Sequence, residues 1–279
     1  MAGVVLAYHP EPDIVQNVNA LLAQADEVFV VDNSPGETSR QILRPMASDA
    51  RVTILEQPGN VGVAAGFNAG IRAALDNAAD FVWIFDQDST VTDGMLDKLL
   101  AAHAAAGKTA GIVAPALRSH ATGVVYRRET GKGAGEVDVV ISSGSLFSKQ
   151  LLETIGLHDE PLFIDYVDHD ISLRARAKGF RNYKVFDALL DHRFGDSDPV
   201  RLFGRRVYLA NYSPMRQFHM ARNRLIVLRR YGLGRWFWED FWFTSKAWVK
   251  VLLLETDRPA KIRAAARGLW AGVRFDVRS

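Results

Sequence analysis

The sequence contains no cysteine. That excludes disulfides, thiolate zinc sites and cysteine nucleophiles, and removes any sign of a secreted disulfide scaffold. The opening Met1-Ala2-Gly3-Val4-Val5-Leu6-Ala7-Tyr8-His9-Pro10 has no basic n-region and too short an apolar run for a signal peptide, so a cytoplasmic protein is expected. No stretch reaches the ~18 uncharged apolar residues of a membrane-spanning helix. Glu239, Asp240, Lys246 and Lys250 interrupt the most aromatic segment. Gly-x-Gly-x-x-Gly is missing, and Gly107-Lys108-Thr109 lacks the upstream glycine of a phosphate loop because position 102 is Ala102. There is no internal repeat or low-complexity linker.

What is present is a normal globular composition. A chain of 279 residues has room for one large α/β domain, or for a domain with an appendage. The net charge of +2 hides a division: residues 1–198 carry 17 Lys+Arg against 27 Asp+Glu, and residues 199–279 carry 17 against 5. A basic tail can face nucleic acid, anionic lipid or an anionic substrate. Five of the six tryptophans, Trp236, Trp238, Trp242, Trp248 and Trp270, lie in that tail. A basic helix rich in Trp, Phe and Leu fits a membrane-surface helix better than a nucleic-acid site. The alternative is that these rings pack against the main domain or a second copy of the chain.

Apolar runs alternate with helical patterns from the start. Strands are expected at Val4–Tyr8, Glu27–Val31, Val52–Leu55 and Phe81–Phe85, with helices ending near Ala23, spanning Thr38–Met46, and spanning Ala64–Asn77. The expected fold class is α/β, a mainly parallel central sheet flanked by helices. A helix to about Ala106, a strand at Gly111–Ala116, a hairpin or loop over Arg118–Gly135, a strand at Val137–Ser142 and a helix through Leu152 follow. The sharpest change of composition, near Pro199, divides residues 1–198 from a helical region at 199–279.

In such sheets ligands sit beyond the carboxyl ends of the strands. Here those ends carry Tyr8-His9-Pro10, Asp32-Asn33-Ser34, Asn60-Val61-Gly62 and Asp86-Gln87-Asp88-Ser89. Residues i and i+2 of a strand face the same side, so Asp86 and Asp88 can present two carboxylates to one point. Oxygen donors suit a hard divalent cation, which in turn suits a diphosphate. An isolated acid-x-acid triplet is nevertheless more often a solvated turn. Gly62, Gly66 and Gly70, with Asn60 and Asn68, recur at intervals of four, which permits either close helix packing or close approach of a nucleotide. Asp165, Asp168 and Asp170 form a second acidic group, in which one carboxylate can act as a general base with Arg174 organising it. A helix N-terminus with acidic first-turn residues explains the same pattern. Neutral His192 can complete a carboxylate metal site.

Taken in this order the motifs resemble the inverting nucleotide-sugar glycosyltransferases of family two, which have a GT-A fold. The likeness spans roughly residues 3–230. Val31-Asp32-Asn33-Ser34, Asn60 to Ile71 and Asp86-Gln87-Asp88-Ser89 look most like bacterial dTDP-rhamnosyltransferases. The resemblance implies that Tyr8, Asp32 and Asn33 hold the nucleoside and that Asp86 lies near its ribose, with Asn60, Gly62, Asn68 and Gln87 in the same nucleotide-sugar site. It implies that Asp88, with His192, binds Mg²⁺ or Mn²⁺ on the donor diphosphate. Asp168 is the implied base, with Asp170 as its rival because this segment departs from the commoner Glu-Asp pair. Arg222, in Arg222-Asn223, is matched to a diphosphate contact. The implied reaction moves rhamnose from dTDP-β-L-rhamnose, with inversion, to a cell-surface glycan or lipid-linked saccharide at the inner face of the cytoplasmic membrane. The other readings are a UDP-hexose donor, a sugar-1-phosphate nucleotidyltransferase, a glycoside hydrolase with paired carboxylates, and a non-catalytic membrane-docked glycan-binding protein. His9-Pro10-Glu11-Pro12-Asp13 after the first strand, where a nucleotidyltransferase needs a basic glycine-rich loop, counts against the second of these.

Overall fold

The computed structural model describes residues 1–119, 123–125, 129–192, 198–202 and 205–277. They form two units: Met1–Phe163 with Val167–Arg193, and Ile164–Tyr166 with Phe194–Ser279.

The first unit opens with β1 (Ala2–Ala7), α1 (Ile14–Leu22), β2 (Glu27–Asp32), α2 (Glu37–Leu43), β3 (Val52–Glu56), α3 (Gly62–Asp76) and β4 (Phe81–Asp86). Strands β3, β2, β1 and β4 lie side by side and parallel, with Ala7 opposite Asp32, Asp32 opposite Glu56, and Leu6 opposite Asp86. All four carboxyl ends therefore share one edge. After β4 come β5 (Ser89–Val91), α4 (Met95–Ala106), β6 (Ala110–Ser119), β7 (Ala134–Val137), β8 (Ser145–Ser148), α5 (Lys149–Ile155), α6 (Val167–Ala177) and β9 (Arg181–His192). The sheet continues from β4 through β8, β6 and β9 to β5, and β7 also pairs with β9. Here the sheet becomes mixed: β8 is antiparallel to β4 and β6, β9 is parallel to β6, and β5 and β7 are antiparallel to β9.

Both faces of the sheet are covered, which is why its central strands read as unbroken apolar runs. Val5, Trp83 and Phe85 face a core with Ile14, Met95 and Leu99. Their neighbours Val4, Leu6 and Ile84 face the opposite core with Phe67, Ile71 and Ile171. Trp83 is fully buried, and its indole N–H is satisfied by Gly144 O at 2.8 Å. Helix α3 lies close on β1 because Gly66 and Gly70 have no side chain: a Cβ would overlap Leu6 at the first and Val4 at the second. His158 is buried between the rings of Phe67 and Phe147, with no hydrogen-bond partner at either ring nitrogen. Burial, and then the charge of Arg174, pushes its imidazole down to about 4.

The expected strand at Val137–Ser142 is displaced. Strand β7 ends at Val137, residues 138–144 are irregular, and the next strand is Ser145–Ser148, where a helix had been expected to start. Leu146 enters one core and Phe147 the other, so this short segment is a buried strand. Ser148 then caps α5 by accepting from Leu151 N. Part of the Arg118–Gly135 stretch lies outside the described residues.

Besides Ile164–Tyr166, the second unit contains the antiparallel pair β10 (Asp198–Leu202) and β11 (Arg205–Leu209), an element not expected in a wholly helical tail. Then come α7 (Pro214–Tyr231), α8 (Arg235–Leu253) and α9 (Arg258–Arg274). Ser213 caps α7, and Gly232, at φ 70°, ends it. Helix α9 lies against α7 through Gly268 and Gly272; a Cβ on Gly272 would sit 2.9 Å from Arg222 O. Lys261 is buried with Glu255 at 2.8 Å and Asn211 Oδ1 at 2.6 Å. Removing one partner of such a buried pair costs about 3–5 kcal/mol. Among the described residues no helix is long and apolar enough to cross a membrane.

Two outcomes are expected. Gly70→Val should destabilise the first unit by about 1–3 kcal/mol in urea unfolding, because the added atoms overpack α3 against β1; an unchanged midpoint would contradict this packing. The folded-state pKa of His158 lies below the ordinary ~6.5 of an unfolded histidine, so the unfolded chain binds the extra proton and stability is lost as pH falls from about 6.5 to about 4. His158→Phe should therefore lose about 2 kcal/mol less than the parent between pH 7 and pH 5; equal losses would count against a neutral buried imidazole.

Candidate active site

The acid-x-acid triplet straddles a turn. Asp86 ends β4, and after Gln87 and Asp88 the chain re-enters the sheet as β5, which pairs with the end of β9 so that Ser89 stands opposite His192. This register brings one donor atom each from Asp86, Asp88 and His192 within 4.8 Å of one another. His192 Nδ1 lies 3.6 Å from Asp88 Oδ1 and 3.0 Å from Ser89 Oγ. Ser143 braces the turn, bonding Ser89 Oγ at 2.7 Å and accepting from Asp86 N at 3.1 Å. Two carboxylate oxygens and an imidazole nitrogen are a donor set that fits a divalent cation such as Mn²⁺ or Mg²⁺. Asp86, assigned by resemblance to the ribose, thus also belongs to the metal-capable cluster.

Gln87 links this turn to the end of β1. Its amide accepts from Tyr8 N at 2.9 Å and donates to Tyr8 O at 3.0 Å, while its own carbonyl accepts from Asn17 at 2.8 Å. The Gln87 side chain is thus committed to holding Tyr8, whose ring is 45% exposed at the sheet edge and packs edge-on against His9.

Asp32 and Asn33 lie beside them at the end of β2, and both are buried. The Asp32 carboxylate accepts from Ser39 Oγ at 2.6 Å and Ser34 N at 3.0 Å. Asn33 accepts from Val61 N at 2.9 Å and donates to Asn60 Oδ1 at 3.2 Å and Gly62 O at 3.3 Å, tying the β2 turn to the loop after β3. Gly62 adopts φ 86°, and a Cβ there would overlap Phe163, so only glycine fits.

Asn68 is set apart from this group. Its amide donates to His158 O at 2.8 Å and Glu160 Oε1 at 2.9 Å, and its oxygen accepts from His158 N at 2.9 Å. It secures the 158–160 segment and leaves no amide hydrogen for a nucleotide. The same segment runs to Phe163, whose carbonyl accepts from Val63 N at 2.6 Å at the start of α3.

The second acidic group divides by partner. Asp170 is fully buried and paired with Arg174 at 2.5 Å, and Arg174 also donates to Ile155 O and Leu157 O, so this pair fastens α6 to the α5 end. Asp165, in the second unit, is held by Arg216 at 3.0 Å in a left-handed conformation of φ 62°, and Asn223 donates to the carbonyls of Ile164 and Asp165. Asp168 differs from both. Its side chain is 27% exposed, and His169 donates to Oδ1 through its backbone N–H at 2.9 Å, with its ring Nδ1 3.1 Å away. Desolvation tends to raise this carboxyl, but the charge and hydrogen bonds of His169 outweigh it, and the net shift is downward. Asp168 is therefore an ionised, reachable carboxylate in the first turn of α6. Arg222 belongs to the second unit, where its Nε donates to Asn223 Oδ1 at 2.8 Å.

Residues 4–161 match the family described as Glycosyl transferase family 2. The dTDP-rhamnosyl transferase RfbF of Shigella flexneri is 30% identical over 246 residues, covering 82% of this chain and 79% of that protein. The fold is shared with S. aureus TarS 1-349, solved in complex with UDP-GlcNAc, at TM-score 0.67 and 16% identity over 97% of this chain and 80% of that one. It is shared too with the mannosyltransferase PcManGT of Pyrobaculum calidifontis, solved with GDP-Man and Mn2+, at TM-score 0.59 and 18% identity over 99% of this chain and 75% of that one. With strand ends, acidic turn and fold all in agreement, the chain belongs to glycosyltransferase family 2, is rhamnosyltransferase-like, and has the GT-A fold.

Proposed function

We propose that this glycosyltransferase moves L-rhamnose from dTDP-β-L-rhamnose to a hydroxyl of a cell-surface glycan or lipid-linked saccharide, with inversion at the anomeric carbon. The observation that carries the reading is the convergence of Asp86, Asp88 and His192 at the carboxyl edge of the parallel strands. The rhamnosyl donor is supported by the Shigella relative at 30% identity; a UDP-hexose is the alternative donor. Family membership sets aside the nucleotidyltransferase and hydrolase readings.

Asp86, Asp88 and His192 would hold the divalent cation, which when bound supplies positive charge to the leaving diphosphate. Tyr8, Asp32, Asn33, Asn60 and Gly62 form the wall for the nucleoside, with Gln87 holding the Tyr8 backbone and the exposed Tyr8 ring serving as a stacking surface. Asp168 serves as general base. Both contacts from His169 fall on its Oδ1, so Oδ2 takes the acceptor proton. The acceptor oxygen bonds to the anomeric carbon as the bond from that carbon to the diphosphate oxygen breaks, and the electron pair leaves with the dTDP. Because His169 keeps Asp168 below the usual carboxylate range, the base stays ionised at neutral pH and in mild acid.

The second unit supports a peripheral position on an anionic membrane at the inner face of the cytoplasmic membrane. Helix α8 exposes Trp238, Phe241, Trp242 and Phe243, and α9 exposes Leu269, Trp270 and Val273. Such aromatic faces with interleaved cations bind interfaces without spanning them.

Asp168→Asn should lower kcat by about 10²–10⁴-fold, the usual contribution of a general base, with donor affinity unchanged in calorimetry; near-parental turnover would remove Asp168 from the role. Asp88→Ala should abolish the gain in donor affinity that Mn²⁺ gives the parent. An Asp88→Ala protein that still binds donor more tightly with Mn²⁺ would contradict the metal assignment.

A further inference from the structure

The second unit contains a feature that glycosyl transfer does not use. Helices α7 and α9 touch backbone to backbone at Gly268 and Gly272, whereas α8 stands off and leaves a cavity of about 340 Å³ between the three helices. Leu225 and Leu228 of α7, Phe241 and Trp248 of α8, Leu269 of α9 and the ring of Tyr166 are among its walls. That volume falls within the range of small-ligand sites, which are mostly apolar with a few placed polar groups. Protein interiors are close-packed, so an open recess of this size lined mainly by apolar side chains offers surface that an apolar ligand can cover.

Gln217, Arg224 and Thr244 are the polar side chains of this wall besides the Tyr166 hydroxyl, and Arg224 is the charged one. Arg224 donates from Nε to Asp240 at 2.6 Å and sits 5.8 and 5.9 Å from the Phe237 and Phe241 rings, and its buried Nη2 has no hydrogen-bond partner. Phe241 and Leu269 line the cavity and are also about half exposed, at 48% and 50%, so the cavity reaches the surface between α8 and α9. Trp238, Trp242 and Trp270 are exposed on these same two helices. Cations stand on two of these rings: Lys246 lies 4.4 Å above Trp242, and Arg274 lies 4.4 Å above Trp270. Residues 199–279 carry 17 Lys+Arg against 5 Asp+Glu. An apolar cavity opening among aromatic rings and cations is complementary to an amphiphile with a hydrocarbon chain and a negative head.

We propose that this cavity binds an acyl chain of an anionic membrane phospholipid, drawn from the bilayer on which α8 and α9 rest. The site deepens the membrane reading given above and depends on it only for the source of the chain. A chain seated between α7 and α8 fills the void and anchors the unit by more than the surface contact of its aromatic rings.

The test uses the full-length protein and two probes. The first is cis-parinaric acid, a fluorescent acyl chain, titrated without vesicles and read by energy transfer from Trp248 and its neighbours. The second is sedimentation with phosphatidylglycerol or phosphatidylcholine vesicles. Saturable uptake of one parinarate per chain is expected, displaced by lysophosphatidylglycerol. Ala221→Phe on α7 and Thr244→Phe on α8 both fill the cavity from different helices and should each weaken uptake at least tenfold with unchanged thermal midpoints. Trp238→Ser with Trp242→Ser should reduce sedimentation with phosphatidylglycerol vesicles and leave parinarate uptake intact. No saturable uptake, or parental uptake by a folded filled-cavity variant, would overturn the site. Displacement by farnesyl phosphate and not by the lysophospholipid would overturn the acyl assignment, and a solution dimer that excludes parinarate would replace the lipid by a second copy. Saturable uptake without any vesicle binding would overturn the membrane reading alone.

Discussion

The arrangement of this protein turns on a short antiparallel contact, the pairing of β5 with the end of β9. Without it, Asp86-Gln87-Asp88 would be one more acidic turn in water. With it, the chain places His192 against Ser89 and holds two carboxylates and an imidazole within 4.8 Å. Carboxylates this close repel, and the repulsion is relieved when a divalent cation shares them. The cluster lies at the edge where the parallel strands end, where the proposed cation would stand beside the proposed nucleoside diphosphate. The hydrogen bonds around the cluster are consistent with that role. Ser143 braces the turn, Gln87 carries its position to Tyr8, and Asn33 carries that of β2 to the Asn60–Gly62 loop.

The strand ends were readable because β1, β2 and β4 are buried on both faces and appear as unbroken apolar runs stopped by polar residues. The fate of individual polar side chains was not. Gly66 and Gly70, with Asn68 between them, left open either close packing or approach of a nucleotide; the two glycines face β1, while Asn68, two residues from each, holds the 158–160 segment. Asp165, Asp168 and Asp170 look alike in sequence. Arg216, His169 and Arg174 respectively decide what each does, and only tertiary contact assigns them. Strand β9 escaped detection because its twelve residues include Asn182, Lys184, Asp187 and Asp191, whose polarity masks the strand pattern. Asn182 is fully buried there; it accepts from Ile112 N, where the β6–β9 register shifts, and donates to Ser172 O on α6 and to Asp138 O.

The two units follow different physical rules. The first puts its largest apolar side chains inside and its polar groups into hydrogen-bonded turns at one edge. The second exposes Trp238, Trp242 and Trp270, buries Lys261 in a pair with Glu255, and keeps a cavity among its helices. Exposed rings on a cationic surface are costly in water and favourable at a lipid interface. A transferase whose acceptor is carried on or near a membrane gains from such a surface, since it confines the search for the acceptor to two dimensions. The segment Ile164–Tyr166, clasped by Arg216 and Asn223 in the second unit, is followed two residues later by Asp168, so the chain runs directly from the unit proposed to face a membrane into the helix that carries the proposed base.

The most direct test is calorimetric titration of the purified protein with dTDP-L-rhamnose, UDP-glucose, UDP-galactose and GDP-mannose, each with and without Mn²⁺. The account predicts that dTDP-L-rhamnose binds most tightly and that the preference requires the metal. Equal binding with and without Mn²⁺ would contradict the role given to Asp86, Asp88 and His192, and metal-dependent preference for another donor would contradict rhamnose while leaving the cluster in place.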